Sequence, residues 1–238
     1  MDQYMKLYYD YTTSPLGQVF YKTVWHQLGD IESQKVLDFG SGFGYTSNFL
    51  AAKNEVVAVE LDEVMIDNSL NDTGYEQIQG GLNALKQFED ESFDVVIFHL
   101  VLEFVEEKEA FLSEVLRVLK KGGTLSIVRH NRLGRVIQAV VQDYDLNDAK
   151  KLLQGEPSFS SAFGHINYYE NDDILTWTHR KVDVDAVYGV RALASLHDAS
   201  MQSKENWQQE MFEMELELLK KSEIVNIAYF NHLRCIKK

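Results

Sequence analysis

Apolar residues in this chain gather into short continuous runs separated by segments of helical periodicity. The runs around Val36-Leu37, Val56-Val57-Ala58-Val59, 93–98 and 124–128 are apolar at consecutive positions and bounded by polar residues or glycine. Strands covered on both faces read this way, because neither face meets water. Together with 75–79 they predict strands at Lys35–Phe39, Glu55–Glu60, 75–79, 93–98 and 124–128. Phe111, Leu112, Val115, Leu116 and Leu119 recur at helical spacing, and Gly122-Gly123 offers that helix a C-cap. Strand–helix alternation predicts a parallel sheet with right-handed crossovers and helices on both faces.

Two regions depart from the repeat. Residues 1–34 carry Tyr4, Tyr8, Tyr9 and Tyr11, then an amphipathic pattern at Phe20, Val24, Leu28 and Ile31. They read as helices packed on the domain or closing over it. Residues 131–180 are polar, irregular and partly helical, and they read as an enlarged connection on the substrate side. The chain resumes with a strand at 182–187, a helix with Trp207, Met211, Met214 and Leu218 on one face, and a last strand from 224 to about 236. The expected fold is α/β: a Rossmann-like, doubly wound, seven-stranded and mostly parallel sheet, its last two strands an antiparallel pair at one edge. It divides into an N-terminal helical cap (1–34) and a main domain (35–238) with an inserted helical segment at about 131–180 after the fifth strand.

Composition narrows the partners. Thirty-seven acidic against 23 basic side chains give 238 residues a net charge of −14. That disfavours broad capture of a nucleic-acid backbone or an anionic membrane, while leaving room for a local basic patch. Cys235 is the only cysteine, so no intrachain disulfide can form and no thiolate-rich metal site is expected. The opening residues lack a basic n-region and an apolar h-region, and no run is long enough for a membrane span. A cytoplasmic setting without a membrane partner is the expectation.

Ligands of a doubly wound sheet bind at the carboxyl ends of its strands. The first strand leads there through Gly40-Ser41-Gly42-Phe43-Gly44. A dinucleotide fingerprint needs glycine or alanine at position 45, and this chain has Tyr45. Asp38 stands two residues ahead of the loop. Its carboxylate would repel a pyrophosphate and attract a cationic amino-acid tail, so the pattern favours S-adenosylmethionine over NAD. Glu60, ending the second strand, is placed to accept from both ribose hydroxyls.

The acid–glycine loop, the second acid, the strand Phe93-Asp94-Val95-Val96 and the segment 122–128 together resemble the class I S-adenosylmethionine-dependent methyltransferases. The motifs lie within about residues 35–130, and the strand count extends the match to the end of the chain. The resemblance implies that Asp38 and the backbone of Gly40, Ser41, Gly42 and Gly44 hold the methionine part, Glu60 the ribose, and Leu61 the adenine face. Gly80-Gly81-Leu82 stands where many members place an acid, which leaves backbone groups of Gly81 and Leu82, with Asn83 nearby, to read the adenine. His99, directly after the fourth strand, lies where members contact cofactor or substrate.

The methyl acceptor is carried by other residues. Arg129-His130-Asn131-Arg132-Leu133-Gly134-Arg135 concentrates three arginines after the fifth strand, and Arg191 follows the sixth. Guanidinium forks suit carboxylate or phosphate. The alternative is pairing with surface acids, which is favoured for Arg135 taken singly. His130 and His165 read as polar residues rather than metal ligands, Glu103 as a solvent-facing or capping residue, and Asp62 and Glu63 as acids complementing a helix dipole. No residue is singled out as catalytic, since a general base is needed only if the nucleophile carries a proton.

Four segments, Thr13-Ser14-Pro15-Leu16-Gly17-Gln18, 99–105, 130–134 and Gly189-Val190-Arg191, are similar to the bacterial methyltransferases that esterify 5-carboxymethoxyuridine in tRNA. That likeness implies an anionic acceptor, gripped by Arg129, Arg132 and Arg191 with His130 alongside. Phe20 departs from it, standing where those enzymes are expected to carry an arginine, and the charge of −14 runs against a large phosphate footprint. Three readings therefore stand: a modified tRNA uridine as acceptor, a small molecule closed in by 1–34 and 131–180, or a module that binds the cofactor without turnover. The sequence leaves the oligomeric state open.

Overall fold

The computed structural model describes residues 1–238. Two helices, α1 (Gln3–Thr13) and α2 (Pro15–Leu28), open the chain. Alternation follows: β1 (Lys35–Phe39), α3 (Tyr45–Ala51), β2 (Glu55–Glu60), α4 (Glu63–Asp67), β3 (Glu76–Gln79), β4 (Phe93–His99), α5 (Lys108–Val118) and β5 (Leu119–His130). Next come α6 (Arg132–Val141), α7 (Leu146–Leu153), a small hairpin of β6 (Ser158–Ser160) and β7 (Gly164–Ile166), and α8 (Asn171–Trp177). The chain ends with β8 (Val182–Val190), α9 (Ala199–Gln202), α10 (Trp207–Leu218), α11 (Ser222–Ile227) and β9 (Phe230–Lys237).

Seven strands form one sheet in the order β3-β2-β1-β4-β5-β9-β8. β1 pairs in parallel with β2 and β4, β2 with β3, and β4 with β5. The order reverses beside β1, the switch point at which such sheets bind ligands. At the far edge the Lys238 N–H donates to Lys181 O at 2.9 Å, tying the end of β9 to the residue ahead of β8. The Rossmann-like, mostly parallel sheet matches the one expected from the apolar runs.

The chain packs as two compact units. Residues 28–128, 169–186 and 233–238 make the sheet unit; residues 1–27, 129–168 and 187–232 make the helical unit. In the sheet unit Leu37, Val59, Val96, Ile97, Leu125 and Ile127 are buried. Phe111 of α5 packs edge-on against Phe39 and Phe98, with ring centroids 5.1 and 5.4 Å away. Burying each such side chain contributes roughly 1.5–3 kcal/mol. The helical unit has its own clusters, one of Val19, Ala194, Trp207 and Met211, another of Val136, Ala139, Ala149 and Leu152.

Three local expectations need correction. The helix α5 stops at Val118, not at Gly122-Gly123; those glycines lie within β5. The pairing there jumps, Phe93 facing Leu119 and Val95 facing Thr124, so the glycines serve an outward excursion of the strand rather than a cap. The last strand begins at Phe230, because 222–227 is helical. Tertiary bonds override the β-branched pattern: Asn131 Nδ2 donates to Asn226 O and Ala228 O, and Asn231 Nδ2 to Val225 O, which satisfies carbonyls of that helix end. On α10 the buried line is Trp207, Met211 and Glu215, while Met214 is 47% exposed. Glu215 is drawn inward by three backbone N–H donors, those of Ala192, Leu193 and Ala194, at 2.9–3.0 Å.

Candidate active site

In the sheet unit, β1 delivers Asp38 to the switch point. Its register partners are Ala58 and Ile97, and the side chain is only 3% exposed. Ser47 Oγ donates to Asp38 Oδ2 at 2.6 Å. Burial pushes the carboxyl up to about 6 against the opposing pull of the Ser47 bond. The glycine loop follows. Gly44 starts α3 at φ +74, and a Cβ there would collide with Tyr75 Oη and lie 2.9 Å from Leu70 O. Gly42, at φ +56, has nothing nearer to a built Cβ than Met65 Sδ at 3.9 Å. Glycine at 44 is thus required by packing. At 42 it leaves open space along a left-handed backbone, where a ligand can lie against the peptide.

Glu60 closes the loop on β2. Its Oε2 accepts the Gly42 N–H at 2.8 Å, and its Oε1 accepts the N–H groups of Leu61 and Asp62 at 2.7 and 2.9 Å. Leu61 beyond it is 69% exposed. A Cβ on Gly81 would lie 4.0 Å from Leu61 Cδ1, so these two residues face each other, and Leu82 begins a short 3-10 helix (Leu82–Gln87). At the end of β4, His99 Nε2 is 2.8 Å from Ser126 Oγ. The Asp62 side chain caps α4 through the N–H groups of Val64 and Met65, the helix role expected of it.

These residues fit a nucleoside with a cationic amino-acid tail. Asp38 is a buried carboxylate whose side-chain partner is a neutral hydroxyl, so an ammonium would lower its ionisation cost. Ser41 Oγ is buried with no hydrogen-bond partner, a polar atom left for a ligand. The open flank of Gly42 and the exposed face of Leu61 supply room for backbone contact and for a flat ring.

The helical unit gathers the basic residues. Arg129 is buried at the end of β5, and its Nη1 donates to His130 O at 3.2 Å. The His130 ring packs edge-on against Tyr168, Tyr229 and Phe230. Arg132 Nη1 donates to Leu152 O and Glu156 O at 3.1 and 2.9 Å, and its guanidinium lies over Tyr168 at 4.7 Å. It therefore closes the end of α7. Arg135 pairs with Asp143 and Asp148 at 2.6 and 2.8 Å, the acid pairing favoured for it from sequence. Glu103 is fully buried rather than solvent-facing, because the turn after β4 directs it into the interior.

Arg191 differs from the rest. It is 4% exposed, sits at φ +58, and donates from Nη1 to the Tyr11 hydroxyl. Its guanidinium carbon lies 5.1–5.4 Å from the ring centres of Tyr11, Tyr229 and Phe230. Its Nε has no hydrogen-bond partner, and no carboxylate forms an ion pair with it. The structure brings together Arg191, Tyr11, Tyr229 and Phe230; it gives Arg132 and Arg135 other work. Tyr11, Tyr229, Ser47 and Glu215 were missed by sequence reasoning. Only the tyrosine run at 4–11 gave any hint, and it carried no position.

Comparison with known proteins bears on the fold and on the domain that carries the loop. Residues 37–127 match the family described as a methyltransferase domain. The demethylmenaquinone methyltransferase of Clavibacter sepedonicus is 30% identical, over 63% of this chain and 62% of its own length. The tRNA 5-carboxymethoxyuridine methyltransferase of Escherichia coli K12 is 24% identical, over 52% and 53%. The chain spans between 30% and 62% of the length of the first curated relatives it matches. Among solved structures, a Thermotoga maritima S-adenosylmethionine-dependent methyltransferase, described as a possible histamine N-methyltransferase, aligns with TM-score 0.67 at 18% identity, covering 99% of this chain and 97% of that one. A plantazolicin methyltransferase in complex with a triazolic desmethylPZN analog and SAH aligns with TM-score 0.59 at 16% identity, over 98% and 90%. These two share the fold. By its glycine loop, its sheet order and the match over residues 37–127, the chain carries a methyltransferase domain with the fold of S-adenosylmethionine-dependent methyltransferases, and S-adenosylmethionine is the cofactor that its site fits.

Proposed function

We propose that the chain transfers a methyl group from S-adenosylmethionine to a nucleophilic oxygen of an anionic acceptor, a carboxylate being the best fit. The observation that carries the acceptor class is Arg191: a buried guanidinium with one hydrogen bond, to a neutral phenol, and an Nε without a partner. Burying such a cation is costly unless an anion completes it.

The cofactor supplies a methyl group already activated on a sulfonium. Asp38 orients the ammonium end and the Gly40–Gly44 backbone the methionine chain. Glu60 accepts from the ribose hydroxyls, for which it must share or release the Gly42 N–H. Leu61, Gly81 and Leu82 frame the adenine, and His99 stands at the strand end beside Ser126. A carboxylate nucleophile carries no proton at neutral pH, so the reaction asks for alignment and exclusion of water rather than a general base. Arg191 provides the grip, with Arg129, His130 and Arg132 in the same unit.

The specific acceptor under this reading is the carboxylate of 5-carboxymethoxyuridine in tRNA, as the name of the Escherichia coli relative suggests. A second reading, a small carboxylate enclosed by the chain's own added segments, draws on Tyr8 of α1, which meets Phe163 of the β6–β7 turn edge-on at 4.9 Å. A cytoplasmic setting belongs to the same proposal; no helix is long and apolar enough to cross a membrane. Transfer of labelled methyl from cofactor into total tRNA and into a small-molecule extract tests it. A base-labile ester in either pool supports the proposal. Label on a neutral acceptor sinks the anionic reading, and label in neither pool, with cofactor bound, makes the chain a binding module.

A further inference from the structure

We propose that Tyr11, carried on α1, is the positioning residue for Arg191, so that the first helix of the chain tunes its acceptor site for carboxylates. The inference rests on the reading of Arg191 as the acceptor grip.

The base of Arg191 is fixed by the chain around it. Its left-handed backbone is followed by the three N–H groups of residues 192–194, which the buried carboxylate of Glu215 holds together. That clasp sustains a conformation that non-glycine residues rarely adopt. The tip is fixed by rings. Tyr229 and Phe230 flank the guanidinium, and Tyr11 both stacks near it and accepts from Nη1. With Nη1 engaged, the remaining edge, Nε with Nη2, is the one whose parallel N–H groups match two carboxylate oxygens. Desolvation raises the pKa of both the Tyr11 and Tyr229 phenols, against the pull of Arg191. Both phenols therefore stay neutral. The cage supplies π faces and leaves the cation's full charge for a ligand.

The position of Tyr11 is in turn set by a tight corner. Asp2 caps the start of α1 through the N–H groups of Tyr4 and Met5. At its end Ser14 Oγ donates to Tyr11 O at 2.7 Å and accepts the Gly17 N–H at 3.1 Å. A Cβ on Gly17 would collide with that same Tyr11 O and lie 2.9 Å from Thr12 O, so the approach of α2 to α1 needs glycine. The corner fixes the tyrosine, and the tyrosine fixes the fork. This assigns a purpose to Thr13-Ser14-Pro15-Leu16-Gly17-Gln18 beyond joining two helices.

The test uses the full chain labelled with 15N-arginine. The Arg191 Nε–H signal, identified by its loss in Arg191→Lys, is followed on titration with acetate, benzoate and inorganic phosphate. Acetate and benzoate are expected to move it saturably. Tyr11→Phe, which keeps the ring and removes the hydroxyl, is expected to weaken both on the order of five- to tenfold, with S-adenosylmethionine affinity by calorimetry unchanged. Equal carboxylate affinity in Tyr11→Phe overturns the role of Tyr11 and leaves the function standing. No response of Arg191 to any of the three ions removes the grip itself, and a tighter response to phosphate than to carboxylates overturns the ligand class. Should Tyr11→Phe fail to fold, Tyr11→Gln, which retains an acceptor oxygen, must bind acetate more tightly than Tyr11→Leu; the reverse order overturns the proposal.

Discussion

Under the proposed function, ligand recognition between residues 40 and 44 is left to peptide groups and the space that a missing side chain leaves. At Arg191 the same proposal leaves it to one side chain held by three rings. The first arrangement tolerates almost no change of backbone and little depends on which apolar residues surround it. The second needs a left-handed backbone at Arg191 itself and depends on residues drawn from three separate stretches of chain, Tyr11 and Arg191 lying 180 positions apart. The difference suggests a division of labour. On that proposal the backbone site would serve a ligand that never changes, and the side-chain site could be retuned by substitution for another acceptor.

The largest effect that would separate the two is expected from Arg191→Gln. Methyl transfer to the acceptor should fall about a hundredfold in kcat/KM through loss of a charge-assisted fork. Affinity for S-adenosylmethionine, measured by calorimetry, should change less than about twofold, because no cofactor residue is altered. Equal losses in both would end the distinction.

Asp38→Asn should do the reverse, weakening the cofactor on the order of tenfold or more through loss of its ammonium partner. It also carries a pH signature. Burial pushes the carboxyl up to about 6, above its ordinary value of 3.8. Burial thus favours the neutral form, and that stabilising contribution is present below the unfolded value and lost as pH climbs through about 6. Urea unfolding should therefore find the cofactor-free Asp38→Asn protein more stable than wild type at pH 8, by about 2–3 kcal/mol at most, with the gap closing toward pH 4. Cofactor affinity of the wild type should decline as pH falls through about 6.

Within the loop, Gly44→Ala should lower stability by about 2 kcal/mol or more, since left-handed strain adds to a collision with Tyr75. Gly42→Ala should cost about 1 kcal/mol of strain alone and yet lose more cofactor affinity than stability. Thermal melts with and without S-adenosylmethionine distinguish them. The smallest effect is expected from Arg135→Ala. Its half-exposed pairs with Asp143 and Asp148 should be worth about 1 kcal/mol or less. Acceptor KM should not move.

The same contrast explains what could be read from the chain. The sheet, its strand order and the loop rest on local signals: apolar runs, glycine spacing, and acids at strand ends such as Asp38 and Glu60. The switch-point rule then adds the third dimension without any contact being known. The cage had no such aid. Tyr11 was one of four tyrosines in a polar helix, and Tyr229-Phe230 read as part of an ordinary strand, so nothing local linked them to Arg191. Where long-range polar bonds decide conformation, the apolar pattern misled. Asn131 and Asn231 hold 222–227 as a helix despite Ile224-Val225, and Glu215 turns the buried line of α10 away from Met214. Glu103 illustrates the same limit, an acid between Leu102 and Phe104 that the fold buries.

Glu60 leaves one more consequence. The Gly42 N–H already meets its carboxylate and the N–H groups of Gly40 and Ser41 meet Val59 O, so the glycine loop has its shape before any cofactor arrives. The entropy of ordering that flexible stretch is met during folding, not during binding. Cofactor association then exchanges hydrogen bonds on a pre-shaped template, and a loop rich in glycine becomes one of the stiffest parts of the site.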